Sequence, residues 1–152
     1  MEIKNDAFME EYLRLIGEGL TIPLTVTGNS MSPFLVHLRD TVYLSPVKGK
    51  PKKGDILLYR RRDGSYVLHR VYRVENGSCT MVGDAQTWLE PGLAEEQLLA
   101  VATGAMRKGK LQKSGSFWWE FFRLVWIRIV PLRPVLHRLY GILKPGHKES
   151  VL

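Results

Sequence analysis

Between residues 21 and 106 the apolar positions fall in short runs cut by turn residues, a pattern of strands rather than helices. The runs are residues 21–26, 41–44, 56–59, 66–74 and 98–102. Arg62-Asp63-Gly64-Ser65 and Glu75-Asn76-Gly77-Ser78 read as hairpin connections, because Asp-Gly and Asn-Gly supply the positive φ that tight β-turns need. Several short strands punctuated in this way predict a compact, mainly β fold of coiled β-sheets or a partly open barrel. Within the longest run, Val67, His69, Val71 and Arg73 alternate with Leu68, Arg70, Tyr72 and Val74. That parity puts His69 on one face with valines and predicts a half-buried imidazole.

The two ends of the chain carry a helical period instead. Phe8, Tyr12, Leu15 and Ile16 recur at helical spacing, with Asn5 or Asp6 as a cap and Gly17 and Gly19 as stops. This N-terminal amphipathic helix is expected to pack on the core; a cleft wall or a shortened membrane anchor are the functional alternatives. Glu2, Asp6, Glu10, Glu11 and Glu18 give residues 1–20 the wrong charge for a secretory signal, and no apolar h-region is present. In the C-terminal helical tail, residues 117–130 place Trp118, Phe122, Val125 and Ile129 at the centre of an apolar face flanked by Trp119, Phe121 and Trp126, with Pro131 as the stop. Val135, Leu136, Leu139, Tyr140 and Leu143 suggest a second short helix, and residues 144–152 a loose end. The expected organisation is a helix in 1–20, a mainly β domain in 21–108 and a basic aromatic tail in 109–152.

Length and charge sharpen this picture. A chain of 152 residues with 45% hydrophobic content supports one domain with its own core. The formal charge of +7 is not spread evenly. Residues 1–104 hold 12 Lys and Arg against 13 Asp and Glu, whereas residues 105–152 hold 10 against 2. A neutral core with a basic tail argues against a DNA-reading domain and for a surface-seeking extension. Cys79 is the single cysteine, so an intrachain disulfide and a cysteine-rich zinc site are excluded; it reads as a small buried residue. His37, His69, His137 and His147 show no metal-ligand spacing, and no metal or cofactor is implied.

The tail does not read as a membrane span. Residues 117–136 include the four charges Glu120, Arg123, Arg128 and Arg133, which together cost about 10 kcal/mol near a bilayer centre, while 14 apolar residues return at most about 8 kcal/mol. Lying in the interface, aromatics inward and arginines towards phosphates, fits the composition better. Docking on the core or on a partner protein is the equal alternative.

Candidate chemistry begins at Thr27-Gly28-Asn29-Ser30-Met31-Ser32-Pro33, where a strand-like run ends in a glycine and presents Ser30 at a sharp turn. A serine hydroxyl becomes a nucleophile when a neighbouring base takes its proton, and His69 can supply that base. The ordered blocks Gly28-Asn29-Ser30-Met31-Ser32-Pro33, Arg39-Asp40-Thr41-Val42, Lys53-Gly54-Asp55-Ile56, His69-Arg70-Val71 and Gly83-Asp84-Ala85 resemble the motif set of type I signal peptidases and LexA-like self-cleaving peptidases. They cover about the middle half of the chain and match most closely the signal peptidase branch that uses serine and histidine. Such peptidases usually begin with a transmembrane helix, from which this chain departs.

The resemblance implies a serine endopeptidase that cleaves leader or signal peptides, with Ser30 as nucleophile, His69 as general base and backbone N–H groups at the turn, that of Ser30 included, as oxyanion donors. Some relatives carry a serine where this chain has Gly28, so part of that stabilisation must come from elsewhere. Asp84 is the block match for an acid that orients the imidazole, and Glu90 is the alternative; a turn aspartate holding the adjacent loop is the other reading of Asp84. Asp40 and Asp55 read as structural turn residues. The expected partner is an extended peptide with small side chains near the cut, and the expected location is peripheral on a membrane, through residues 117–143, or cytoplasmic. A LexA-like self-cleaving peptidase, and a non-catalytic module that binds membrane or RNA, are the alternatives.

Overall fold

The structure is a computed structural model that describes residues 2–3 and 6–143. Among the described residues, nine strands form one antiparallel sheet: β1 (Glu2–Ile3), β2 (Ile22–Thr25), β3 (Thr41–Ser45), β4 (Ile56–Arg60), β5 (Tyr66–Glu75), β6 (Ser78–Val82), β7 (Glu90–Ala94), β8 (Leu98–Arg107) and β9 (Lys110–Lys113). Their order is β2-β3-β8-β4-β5-β6-β7, with β1 added to β5 and β9 to β8. Helices α1 (Asp6–Gly17), α2 (Phe117–Glu120) and α3 (Arg133–Leu143) lie at the two ends of the chain. The fold is thus mainly β, as the hydrophobic pattern predicts.

The five predicted runs coincide with β2, β3, β4, β5 and the first half of β8. Asn76 (φ 50°) and Gly77 (φ 74°) make the predicted turn between β5 and β6. Four strands lie outside the prediction: β1, only two residues long, and β6, β7 and β9, each for an identifiable reason. β7 contains Pro91 and Gly92, which argue against a strand, and it is tolerated because β7 ends the sheet order. β9 reads Lys-Leu-Gln-Lys and is held by the hairpin turn at Lys108 and Gly109, both at positive φ. β6, with Ser78 and Thr80 among its residues, gains its place from pairing with both β5 and β7.

Both faces of the central strands are covered. Ile56, Leu58, Tyr66, Leu68 and Ala100 pack with Met9 and Ile16 of α1, while Leu57, Tyr59, Val67, Val71, Cys79 and Met81 form a second cluster. Residues 56–59 are consequently all buried, and no alternation is visible there. In α1 the buried positions are Met9 and Ile16, with Tyr12 and Leu13 packed beside them. Phe8 points outward and meets Tyr12 at 4.6 Å between tilted rings, so the expected stripe is rotated by about one residue.

The C-terminal tail is helical but irregular. α2 passes into a π turn over Phe121–Val125 and a 3-10 stretch over Trp126–Leu132 that kinks at Ile129 (φ −97°, ψ 18°) before α3. Pro131 sits inside this stretch rather than ending the helix, and Pro134 occupies the first turn of α3, where its missing N–H leaves nothing unpaired. The changes of period divide the predicted apolar face. Trp119, Phe122, Ile127 and Val130 turn inward, and Trp118 and Val125 turn outward. Trp119 and Phe122 meet Phe34 at 5.9 and 4.9 Å between centroids; Ile127 and Val130 pack on Val82 and Tyr72. The inner face of the tail is therefore part of the domain core. Gly54, at φ 94°, permits this approach, since a Cβ there would lie 2.5 Å from the Arg123 carbonyl oxygen. The predicted loose end at residues 144–152 and the Asn5 cap lie outside the described residues.

Candidate active site

The loop after β2 is fixed at several points before it presents Ser30. Gly28, at φ 83°, donates its N–H to His37 Nδ1 at 2.8 Å, and the Met31 side chain is fully buried in the core. The Ser30 carbonyl accepts the Ala85 N–H at 2.9 Å, tying this loop to the one after β6. Gly83 makes that junction possible: a Cβ on it would stand 2.5 Å from the Ser30 carbonyl oxygen and 2.8 Å from Gln86 Oε1.

His69 arrives from β5 on the Val67–Val71 face, as its parity predicts, but is almost wholly buried rather than half-buried. Its Nε2 stands 3.3 Å from Ser30 Oγ. The two residues border a small cleft of about 220 Å³, which Arg61, Val67 and Gln86 also line.

On the other side of the ring, His69 Nδ1 lies 3.1 Å from Tyr59 Oη. Tyr59 donates its hydroxyl to Glu90 Oε2 at 2.7 Å, and Arg61 clamps the same carboxylate through Nε and Nη2 at 2.7 and 2.8 Å. The order Arg61, Glu90, Tyr59, His69, Ser30 fixes the proton positions. A carboxylate only accepts, so the phenol proton points to Glu90 and the phenol oxygen accepts from Nδ1–H. The imidazole then faces Ser30 with an unprotonated Nε2. Burial, the largest influence, pushes the His69 imidazole down to about 3, and Tyr59 is pushed up by burial and by Glu90. Burial also raises the Glu90 carboxyl, but the bonds from Arg61 and Tyr59 outweigh it and the net direction is down. At neutral pH the group is a neutral imidazole, a neutral phenol and a paired carboxylate.

Asp84 has a different place. Its carboxylate takes Arg70 Nε and Nη2 at 2.8 Å each, in a pair with both side chains buried. Arg70 follows His69 on β5 and so faces the opposite side of the strand, which carries its partner away from the imidazole. The structure does not bring Asp84 to His69; the pair instead ties the loop after β6 to β5, and Arg70 also donates to the Gly54 carbonyl at 2.9 Å. Glu90, the alternative acid, reaches the imidazole through Tyr59 rather than directly. Asp40 accepts from the Val36 N–H at 2.9 Å and pairs with Arg39, and Asp55 accepts from the Lys52 N–H at 2.9 Å, both within turns.

The tail buttresses the same loop. Arg133, fully buried, donates to the Gly83 and Gln86 carbonyls at 2.9 and 2.8 Å and lies over the Trp126 ring, whose Nε1 donates to the Asp84 carbonyl at 2.8 Å.

Tyr59 and Arg61 are site residues that the sequence motifs do not single out. The hairpin register carries a usable signal for the tyrosine: the Asp63-Gly64 turn pairs Tyr59 with Val67 and Leu57 with His69, which puts Tyr59 on the histidine's face, one diagonal step away. Chemically, the arrangement can move a proton from the Ser30 hydroxyl to a neutral, orientation-locked imidazole. No family model, no curated protein and no solved structure matches the chain.

Proposed function

We propose that the chain is a serine endopeptidase of the signal-peptidase type, with Ser30 as nucleophile and His69 as general base, acting on extended leader or signal segments. The observation that carries this reading is the 3.3 Å approach of His69 Nε2 to Ser30 Oγ, made by residues 39 apart in sequence, with the far side of the ring held by Tyr59. Ser30 Oγ attacks the scissile carbonyl carbon as its proton passes to His69 Nε2. The tetrahedral adduct collapses when the imidazolium returns that proton to the leaving amine, leaving an ester on Ser30. Water then attacks the ester as its proton passes to His69, and the imidazolium returns that proton to Ser30 Oγ as the ester bond breaks and the new carboxyl terminus leaves. Backbone N–H groups of the turn that carries Ser30 stabilise the oxyanion, each such donor contributing about 3 to 4 kcal/mol.

The substrate binds as an added strand. Support comes from β1, which pairs with Tyr66 and Val67 on β5, two residues short of His69, so this edge accepts an extended segment. The small volume of the cleft, about 220 Å³, favours small side chains beside the cut. On this reading the sheet is the coiled or partly open barrel of the signal peptidase and LexA superfamily.

The ester is the direct test. Peptides with small residues flanking the cut, incubated with the protein and quenched in acid, are expected to leave an acyl mass on the tryptic fragment that contains Ser30, and none in Ser30→Ala. Cleavage that leaves the same adduct pattern in both proteins contradicts the proposal.

A further inference from the structure

The tail has two apolar faces, and the core uses one of them. Exposed apolar side chains recur along the tail: Phe117 (72% exposed) and Trp118 (48%), then Leu124 and Val125, then Leu136 and Leu139 of α3. Beside it, between the β8–β9 hairpin and the Ser32-Pro33 turn, lies a cavity of about 560 Å³. Arg39, Arg107, Lys108 and Lys110 line it together with Trp118 and Phe122, and no acidic side chain does. Asp40, behind the wall, offsets Arg39. The Arg107 guanidinium is fixed over the Phe34, Trp118 and Phe122 rings and donates to the Pro33 carbonyl at 3.2 Å, while Lys108 and Lys110 stand exposed at the rim.

We infer that this outer face and the adjoining cationic cavity form a docking surface for an anionic phospholipid membrane, with lipid phosphate held between Arg107, Lys108 and Lys110. Trp118 belongs to both the cavity wall and the exposed face, so the phosphate site and the apolar ledge are one continuous surface, matching the headgroup-to-acyl boundary of a bilayer. Charge complementarity selects the lipid: residues 105–152 carry 10 Lys and Arg against 2 acids. Leu124, Val125, Leu136 and Leu139 select a membrane over RNA, because nucleobases stack on aromatic faces and leave such aliphatic groups in water. No helix among the described residues is long and apolar enough to cross a bilayer, so the segment lies along the surface. Docking there brings the Ser32-Pro33 turn, two residues from Ser30, to the membrane. The inference does not depend on peptidase activity.

The test is flotation of the full chain, carrying Ser30→Ala so that activity plays no part, with phosphatidylcholine vesicles and with vesicles containing about one third phosphatidylglycerol. Binding to the anionic vesicles and not to the neutral ones is expected. Lys108→Glu with Lys110→Glu is expected to weaken it at least about 25-fold, since each cation near an anionic surface contributes roughly fivefold. Leu136→Glu with Leu139→Glu is expected to weaken it by about tenfold or more with thermal unfolding unchanged, because both leucines are exposed. Equal binding to both vesicles, retention by both double variants, preference for a single-stranded RNA over the anionic vesicles, or binding of inorganic phosphate without vesicle binding would each overturn the inference.

Discussion

The hydroxyl of Tyr59 meets His69 Nδ1 at 3.1 Å, so a neutral phenol rather than a carboxylate holds the imidazole. Glu90 acts at one remove, by taking the phenol proton. Tyr59→Phe is expected to lower kcat/KM about 10- to 100-fold, the usual effect of removing a group that orients a reacting one, while the protein stays folded. Nitrogen NMR of the ring should show a mixture of tautomers in the variant and the Nδ1–H form in the wild type. Unchanged activity in Tyr59→Phe would show that the phenol does not position the imidazole.

Burial keeps His69 neutral far into the acid range, with consequences for stability. The unfolded chain binds a proton at this residue near pH 6.5 and the folded chain only near 3, so stability falls as pH drops below about 6.5. The loss reaches roughly 2 to 3 kcal/mol by pH 4.5. Glu90, whose folded value is depressed, adds to the loss only lower, as pH falls through the carboxylate range. Urea unfolding between pH 6.5 and 5 is therefore expected to show a slope in the wild type that flattens in His69→Gln; identical slopes would contradict the buried neutral imidazole.

Asp84 and Arg70 are both buried, and removing one partner leaves the other without its counter-charge. Asp84→Asn is expected to cost about 3 to 5 kcal/mol of stability. The pH dependence of kcat/KM is expected to stay in place, because Asp84 supports the loop and not the ring. A shifted pH profile with unchanged stability would instead assign the orienting role to Asp84.

The tail offers a contrast between neighbours. Phe122→Ala is expected to destabilise by about 3 to 5 kcal/mol, since that ring packs on Phe34 in the core. Phe117→Ala, on an exposed ring, is expected to change stability by less than about 0.5 kcal/mol. Thermal or urea unfolding of the two variants checks both, and similar losses would contradict the division of the tail into an inner and an outer face.

β1 occupies the β5 edge that the proposed substrate would pair with. Removing residues 1–5 is expected to lower KM for a cleaved peptide with little change in kcat. A rise in KM would show that this edge is not the substrate's path.

Much of the sheet is legible in the sequence because its hairpins carry their own turn chemistry. Asn76-Gly77 announces one reversal and Asp63-Gly64 another, and between them the alternation of β5 places His69 correctly on the valine face. The limits are equally physical. β7 and β9 have little strand propensity and are held by their neighbours in the sheet. The tail departs from a simple wheel because a π turn and a 3-10 stretch change its period between Phe121 and Leu132. At the site, Ser30 and His69 are visible as separate motifs, whereas the group that locks the ring comes from register: Tyr59 lies across a hairpin, and Glu90 reaches it from the start of β7.

The proposed function rests on the catalytic pairing of Ser30 with His69. Its most direct measurement is cleavage of a leader-peptide library, read by mass spectrometry, by the wild type, Ser30→Ala and His69→Ala. Cutting by the wild type, with a fall of at least about 1000-fold in both variants, is the expected result. A wild type that leaves every peptide intact with anionic vesicles present, or variants that cut as well as it does, would contradict the pair.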